Sequence, residues 1–166
     1  MIRDDVARAL ESVVDPEIPS CSIVDLGMVE RVEVTDDVVH VELLPTFVGC
    51  PAKNVIGQDV RKALESVCGP RRIEVVFVYD PPWTASRVTE TGRERLREYG
   101  ISSDRLGGTA HGCPYCGSAD TVVESPFGPT PCRSTHFCNA CRNVFEGFKD
   151  KGGPVLTIAR GPGGRS

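Results

Sequence analysis

The sequence predicts an α+β fold: a small helix-on-sheet domain followed by a compact cysteine-rich module. Three observations carry that reading. Apolar spacing alternates between helical and strand periods in the order α-β-β-α-β-α over the first hundred residues. Proline and glycine clusters punctuate those segments where elements must stop. Four of the eight cysteines stand as two Cys-x-x-Cys pairs near the C-terminus.

Residues 3–14 read as a helix, with Val6, Leu10, Val13 and Val14 on one face. Asp15-Pro16-Glu17-Ile18-Pro19 stops it, because each proline biases the preceding residue away from α. Val29 to Val34 and Val38 to Leu43 form a hairpin around Asp36-Asp37. A loop, Pro45-Thr46-Phe47-Val48-Gly49-Cys50-Pro51, leads into a helix over 52–67, whose Val55, Ile56, Val60, Ala63, Leu64 and Val67 recur at helical spacing. Gly69-Pro70 ends it. Ile73 to Tyr79 is a third strand, Asp80-Pro81-Pro82-Trp83 a rigid turn, and Thr89 to Tyr99 a polar helix. Helices on one face of a short sheet make an α+β domain over 1–104. Gly107-Gly108 marks a linker, a module occupies 112–149, and the Gly-rich, basic stretch 150–166 reads as a flexible tail.

Composition is that of a soluble globular protein, 40% hydrophobic and 25% charged. No apolar run approaches the roughly 20 residues of a membrane span, so no membrane association is expected. The charged start Met1-Ile2-Arg3-Asp4-Asp5 lacks the apolar stretch of a signal peptide, which points to a cytoplasmic protein. Residues 1–50 carry 11 acidic and 3 basic side chains, the opposite of the basic stripe a nucleic-acid binder shows. No nucleic-acid partner is expected.

In a cytoplasmic chain, clustered cysteines read as metal ligands or reactive thiols. Cys113, Cys116, Cys138 and Cys141 each sit in a tight turn whose two-residue gap lets both sulfurs reach one ion at about 2.3 Å. Thr121-Val122-Val123-Glu124 and Asn143 to Phe148 supply strands for a ribbon between and after the knuckles. Gly117 provides φ > 0 after the first pair, and Asn143 could partly serve after the second. A module this small gains folding energy from a metal, which favours structural Zn2+, although tetrathiolate sites suit iron as well. Cys132 and His136 lie within the module and are candidate extra ligands.

Cys50 precedes Pro51 at the start of the second helix. A sulfur at an N-cap faces free N–H groups and the positive end of the helix dipole, a setting that lowers a thiol's pKa. The alternative is a small buried core residue. Cys21 and Cys68 have no such setting and read as packing residues, as does His40 in its strand.

Taken together, Asp15-Pro16-Glu17-Ile18-Pro19, Val24-Asp25-Leu26-Gly27-Met28-Val29, Pro45-Thr46 with Gly49-Cys50-Pro51-Ala52, and Asp80-Pro81-Pro82-Trp83-Thr84 resemble the iron–sulfur assembly domain family that includes SufT. The whole chain, with Ser125-Pro126-Phe127-Gly128 ahead of Cys132, is similar to the PaaD-like members of that family. The resemblance implies a small α+β domain and a role in iron–sulfur cluster assembly. It makes Cys50 the reactive residue, as a transient metal ligand, with Asp15 and Glu17 in the neighbouring acidic loop. It implies as partners the oxygenase and reductase subunits of a phenylacetyl-CoA epoxidase, the iron–sulfur assembly machinery and, as a candidate, a second copy of the chain. It implies an accessory protein of phenylacetate degradation with no independent catalytic activity, handling transient iron or an iron–sulfur cluster beside its zinc. Two rivals predict different outcomes: a stable structural subunit indifferent to Cys50, and a redox module with rubredoxin-like iron on the four cysteines.

Overall fold

A computed structural model describes residues 1–107 and 110–149. The tail read at 150–166 lies outside them. In chain order the elements are α1 (Ile2–Glu11), β1 (Val14–Asp15), β2 (Ile18–Ser22), β3 (Val29–Val34), β4 (Val38–Leu43), α2 (Lys53–Glu65) and β5 (Arg72–Phe77). There follow a 3-10 turn (Ala85–Arg87), α3 (Glu90–Glu98), β6 (Ile101–Ser102), β7 (Arg105–Gly107), β8 (Ala110–His111), β9 (Thr121–Ser125), β10 (Arg133–Cys138) and β11 (Val144–Phe148). The α+β class is the one the sequence predicts.

The first sheet has the order β3-β4-β5. β3 and β4 form the expected antiparallel hairpin, and β5 runs parallel to β4 after crossing over through α2. β4 alternates strictly, with Val39, Val41 and Leu43 fully buried. Those residues meet Val6 and Leu10 of α1 and Ile56, Val60 and Leu64 of α2 in one apolar core. Periodicity in the sequence is therefore read directly as packing.

The first helix is shorter than its apolar pattern suggests. It ends at Glu11, where the Ser12 hydroxyl donates to the Ala9 carbonyl at 2.6 Å. Val13 stays buried, but Val14 and Asp15 leave the helix to pair with β2 around Pro16-Glu17. The prolines do more than stop a helix. They turn the chain into a two-stranded ribbon, which tolerates Pro19 because an edge strand can spare an N–H.

The second sheet has the order β6-β11-β10-β9. β9, β10 and β11 are antiparallel, while β6 joins β11 in parallel through Ile101 and Ser102. β6 lies ahead of the linker expected at 104–112 yet bonds into the ribbon sheet, so the two modules are stitched together. Trp83 completes the seam: its ring packs 5.2 Å from that of Phe148, and its indole N–H donates to the Leu26 carbonyl at 2.7 Å. Both rings belong to the same core as α1 and α2. No helix among the described residues is long and apolar enough to cross a membrane.

Candidate functional site

Two thiol sites emerge, one in the ribbon and one at the seam. In the ribbon, Cys113 and Cys116 occupy the turn before β9, Cys138 ends β10, and Cys141 lies in the turn before β11. Each knuckle is closed by its own backbone: Gly117 N–H donates to the Cys113 carbonyl and Arg142 N–H to that of Cys138, both at 2.9 Å. The residue after each pair is left-handed, Gly117 at φ +73° and Arg142 at φ +62°. Arg142, rather than Asn143, takes the strained position in the second knuckle. Asn143 instead donates its side-chain N–H to the Cys141 sulfur at 3.4 Å.

The four sulfurs lie within 4.8 Å of one another. Two of the separations, Cys113 to Cys141 and Cys116 to Cys138, are 3.6 Å. A tetrahedron with metal–sulfur bonds of about 2.3 Å has edges of about 3.8 Å, so the cluster can coordinate a single ion with little adjustment. Disulfides at about 2.05 Å are excluded by the same distances. The Asn143 donors hold Cys141 down to about 6, whereas burial pushes Cys113 up to about 12. One ligand is poised as thiolate, and the buried one needs a cation beside it to ionise.

Neither Cys132 nor His136 belongs to this cluster. His136 is fully buried in β10, with Nε2 2.8 Å from the Ser134 hydroxyl and its ring stacked on Phe145. Edge contact with His111 completes a small aromatic stack. Burial, reinforced by the charge of His136, holds His111 down at about 4, so it stays neutral.

Cys132 sits at the seam, immediately before β10. Its sulfur is 3.1 Å from the Thr130 hydroxyl, and burial raises its pKa above the ordinary 9.0. The Cys50 sulfur senses Cys132, Asp15 and Glu17 as neighbouring charges. Asp15 and Glu17, which the resemblance grouped with Cys50, and Cys132, which the sequence assigned to the ribbon, thus lie within electrostatic reach of its thiol.

Cys50 differs from expectation in one respect. α2 begins at Lys53 with Ala52 as its N-cap, so the sulfur does not cap the helix. It is only 7% exposed, and burial raises its pKa above the ordinary 9.0 despite a hydrogen bond from the Ala52 backbone. Its carboxylate neighbours raise it further. Asp15 is buried as well. Its Oδ1 accepts the N–H groups of Glu17 and Ile18 at 2.7 and 3.1 Å, which fixes the acidic loop. Burial still lifts its pKa, against those bonds and the charge of Arg133. Burial lifts that of the half-buried Glu17 too, followed by repulsion from Asp15.

Arg133 is the site residue that sequence reasoning missed. It is 5% exposed, with its guanidinium 2.6 Å from Glu146 and Nε donating to the Thr130 hydroxyl at 2.8 Å. An Arg at the head of a β-rich segment carries no signal of burial. Only the β10–β11 register brings Glu146 beside it. An apolar groove of 600 Å³ between α1 and β3, lined by Val6, Leu10, Val29, Val32 and Val34 among others, contains none of the thiols. The chemistry of the donors, not cavity size, identifies the site.

Residues 101–149 match the family described as PaaD zinc beta ribbon domain, and residues 3–77 that described as iron-sulfur cluster assembly protein. The first match begins at β6, the strand that joins the ribbon sheet. An Escherichia coli (strain K12) protein described as a 1,2-phenylacetyl-CoA epoxidase subunit is 39% identical over 152 residues, 87% of this chain and 91% of its own. The Fe-S protein maturation auxiliary factor YitW of Bacillus subtilis (strain 168) is 36% identical over 96 residues, 57% of this chain and 93% of its own. Among solved structures, a domain of unknown function (DUF59) from Bacillus anthracis superposes with a TM-score of 0.53 at 31% identity, covering 57% of this chain and 91% of that one. With two family matches in tandem and a relative aligned over nearly its full length, the chain belongs to the PaaD/SufT-like iron–sulfur assembly family with a C-terminal zinc-ribbon domain.

Proposed function

We propose that this protein is an accessory maturation factor of a phenylacetyl-CoA ring-epoxidising oxygenase. It assists delivery of iron or an iron–sulfur cluster in the cytoplasm to the oxygenase or its reductase subunit. The observation that carries the reading is a buried Cys50 thiol within electrostatic reach of the Asp15 and Glu17 carboxyls. Sulfur and carboxylate donors suit iron, and a single labile thiolate can pass metal on by ligand exchange. The three histidines stand elsewhere. His40 bonds Glu74 and Glu42 on the first sheet, and His111 and His136 stack inside the ribbon. A nucleophile–base arrangement around Cys50 therefore lacks its usual base.

The second part of the proposal is that the four-cysteine cluster holds zinc as a closed structural site. All four positions of the tetrahedron are filled by sulfur, which leaves no open position for substrate. Bound zinc would supply folding energy to the ribbon and, through β6 and Trp83, rigidity to the seam.

The test is co-expression of the oxygenase subunits with wild-type protein or Cys50→Ala, followed by iron counts for each subunit. A severalfold drop in one subunit is expected. Unchanged iron and unchanged epoxidation would refute the maturation role and favour a stable structural subunit. Colour separates the resident metals: zinc protein is colourless, and ferric tetrathiolate is red.

A further inference from the structure

The first sheet has one covered edge and one open edge. At β5 the Arg61 guanidinium, reaching across from α2, donates to the Ile73 carbonyl at 2.9 Å. β3 is the other edge, and among the described residues no strand pairs with its outer side. Arg87 reaches the Val29 carbonyl at 3.4 Å and Arg71 the Thr35 carbonyl at 2.9 Å, which leaves the stretch from Glu30 to Val34 between them. The Thr35 N–H donates to the Val38 carbonyl, so Thr35 turns its bonding groups towards β4. Arg31 and Glu33, at alternate positions, turn theirs the same way, and those of Val32 and Val34 point out of the sheet edge. Side chains sort by the same alternation. Val32 and Val34 stand opposite the buried Val41 and Val39 and line the apolar groove beside Val6 and Leu10 of α1, yet Val32 is 38% exposed. Arg31 and Glu33 stand opposite Glu42 and His40 on the other face, exposed and ion-paired with each other. An edge built to repel further strands carries lysine, proline or an inward charge; this one presents valine beside an apolar groove.

We infer that β3 is the interface of a homodimer, in which the β3 edges of two copies pair antiparallel about a twofold axis at Val32. Val32 then meets the partner's Val32, and the two exchange backbone hydrogen bonds across the axis. Arg31 falls opposite the partner's Glu33, and Glu33 opposite the partner's Arg31, at the closely spaced positions between those bonds. Each arginine thus stands between two glutamates, its own and the partner's. The charge pattern also sets the register. Pairing that keeps the outward residues bonded can slip only by two. One slip sets Arg31 against the partner's Arg31, and the other sets Glu33 against the partner's Glu33. Both bring like charges face to face, so the register centred on Val32 is the favoured one. Two three-stranded sheets join into one of six strands, and the apolar walls of the two grooves meet beside the axis and leave water. Neither Cys50 nor a ribbon cysteine takes part, so this pairing stands or falls independently of the maturation role.

Charge reversal tests this at two exposed residues whose own ion pair carries little weight in folding. Sedimentation equilibrium of the full chain with zinc added, over a concentration series, should show wild type passing from monomer to dimer. Arg31→Glu and Glu33→Arg each set like charges opposite one another on both sides of the axis, and each should weaken dimerisation by about tenfold or more. The double variant Arg31→Glu/Glu33→Arg exchanges the signs and should restore it. Mixing the two single variants should also restore pairing, as a heterodimer, because one chain then offers only acids and the other only bases at these positions. Hydrogen exchange locates the contact: the Val32 amide should gain protection as concentration rises. Val32→Lys, which sets two cations on the axis, carries the test if either reversal fails to fold, and dimerisation of that variant at wild-type strength overturns the proposal. Wild type that stays monomeric up to its solubility limit overturns it as well. So does a dimer that survives both reversals, or a loss that neither the double variant nor mixing repairs.

Discussion

Gly27→Ala should destabilise the protein far more than Gly69→Ala, although both glycines have nearly the same backbone. Gly27 sits at φ +64° and Gly69 at φ +60°. The left-handed conformation costs an L-residue roughly 1–2 kcal/mol at either position. Alanine returns about 0.4–1 kcal/mol by restricting the unfolded chain. Gly69→Ala has no atom within 4 Å of the new Cβ, so its net cost is about 1 kcal/mol. At Gly27 the Cβ would lie 2.2 Å from the Arg87 carbonyl oxygen and 2.6 Å from its carbon. That backbone cannot step aside. Arg87 Nε donates to the Gly27 carbonyl at 2.8 Å, and the guanidinium pairs with Glu30 at 2.6 Å. Overpacking of this kind adds about 1–3 kcal/mol, which places Gly27→Ala near 2–4 kcal/mol in all. Displacing Leu26 and Gly27 also pulls on Trp83, whose indole is bonded to the Leu26 carbonyl. Trp83 is the only tryptophan in the chain and abuts Phe148, so its fluorescence reports the seam directly. Urea unfolding of zinc-saturated protein, followed by Trp83 emission and by circular dichroism, gives the comparison. A Gly27→Ala midpoint equal to that of Gly69→Ala would refute the close approach, and with it the account of why leucine-glycine stands in this turn.

Two further outcomes follow from the thiols. Chelation of the ribbon metal, or Cys116→Ser at the exposed knuckle, should release one zinc per chain and abolish hydrogen-exchange protection in β9 to β11, while amides of the β3-β4-β5 sheet stay protected; unchanged ribbon protection would show that the metal does not hold that module. Because burial and neighbouring carboxylates raise Cys50 above 9.0, iodoacetamide labelling of metal-free Cys50, located by peptide mass mapping, should be slow at neutral pH and still climbing past pH 9; a plateau reached below pH 8 would mean an activated thiolate and contradict the buried geometry.

The contrast between expected and observed Cys50 shows what local sequence can and cannot specify. Gly49-Cys50-Pro51 ahead of an amphipathic run does signal a helix start, and α2 forms there. Whether the sulfur caps that helix depends on a shift of two residues, from Cys50 to Ala52, and on what covers the loop, and neither is encoded in spacing. The β3–β4 hairpin, α2 and the four ribbon cysteines were legible because their information is periodic or local. β1, β2 and β6 were not: each is short, Pro19 disguises β2, and β6 exists only because β11 arrives beside it. The same limit explains Cys132. Counting cysteines in the last third of the chain groups it with Cys113 to Cys141, and only the tertiary pairing of β10, β11 and β6 places it in the core of the first domain. A division into a folding module and a chemical module is therefore too sharp. The ribbon cysteines can fold their own knuckles, yet the sheet they anchor delivers Phe148 to the other domain's Trp83. Loss of zinc should therefore shift Trp83 emission to the red without touching any residue around the indole, because β11 would no longer hold Phe148 against it; unchanged emission on chelation would refute the coupling.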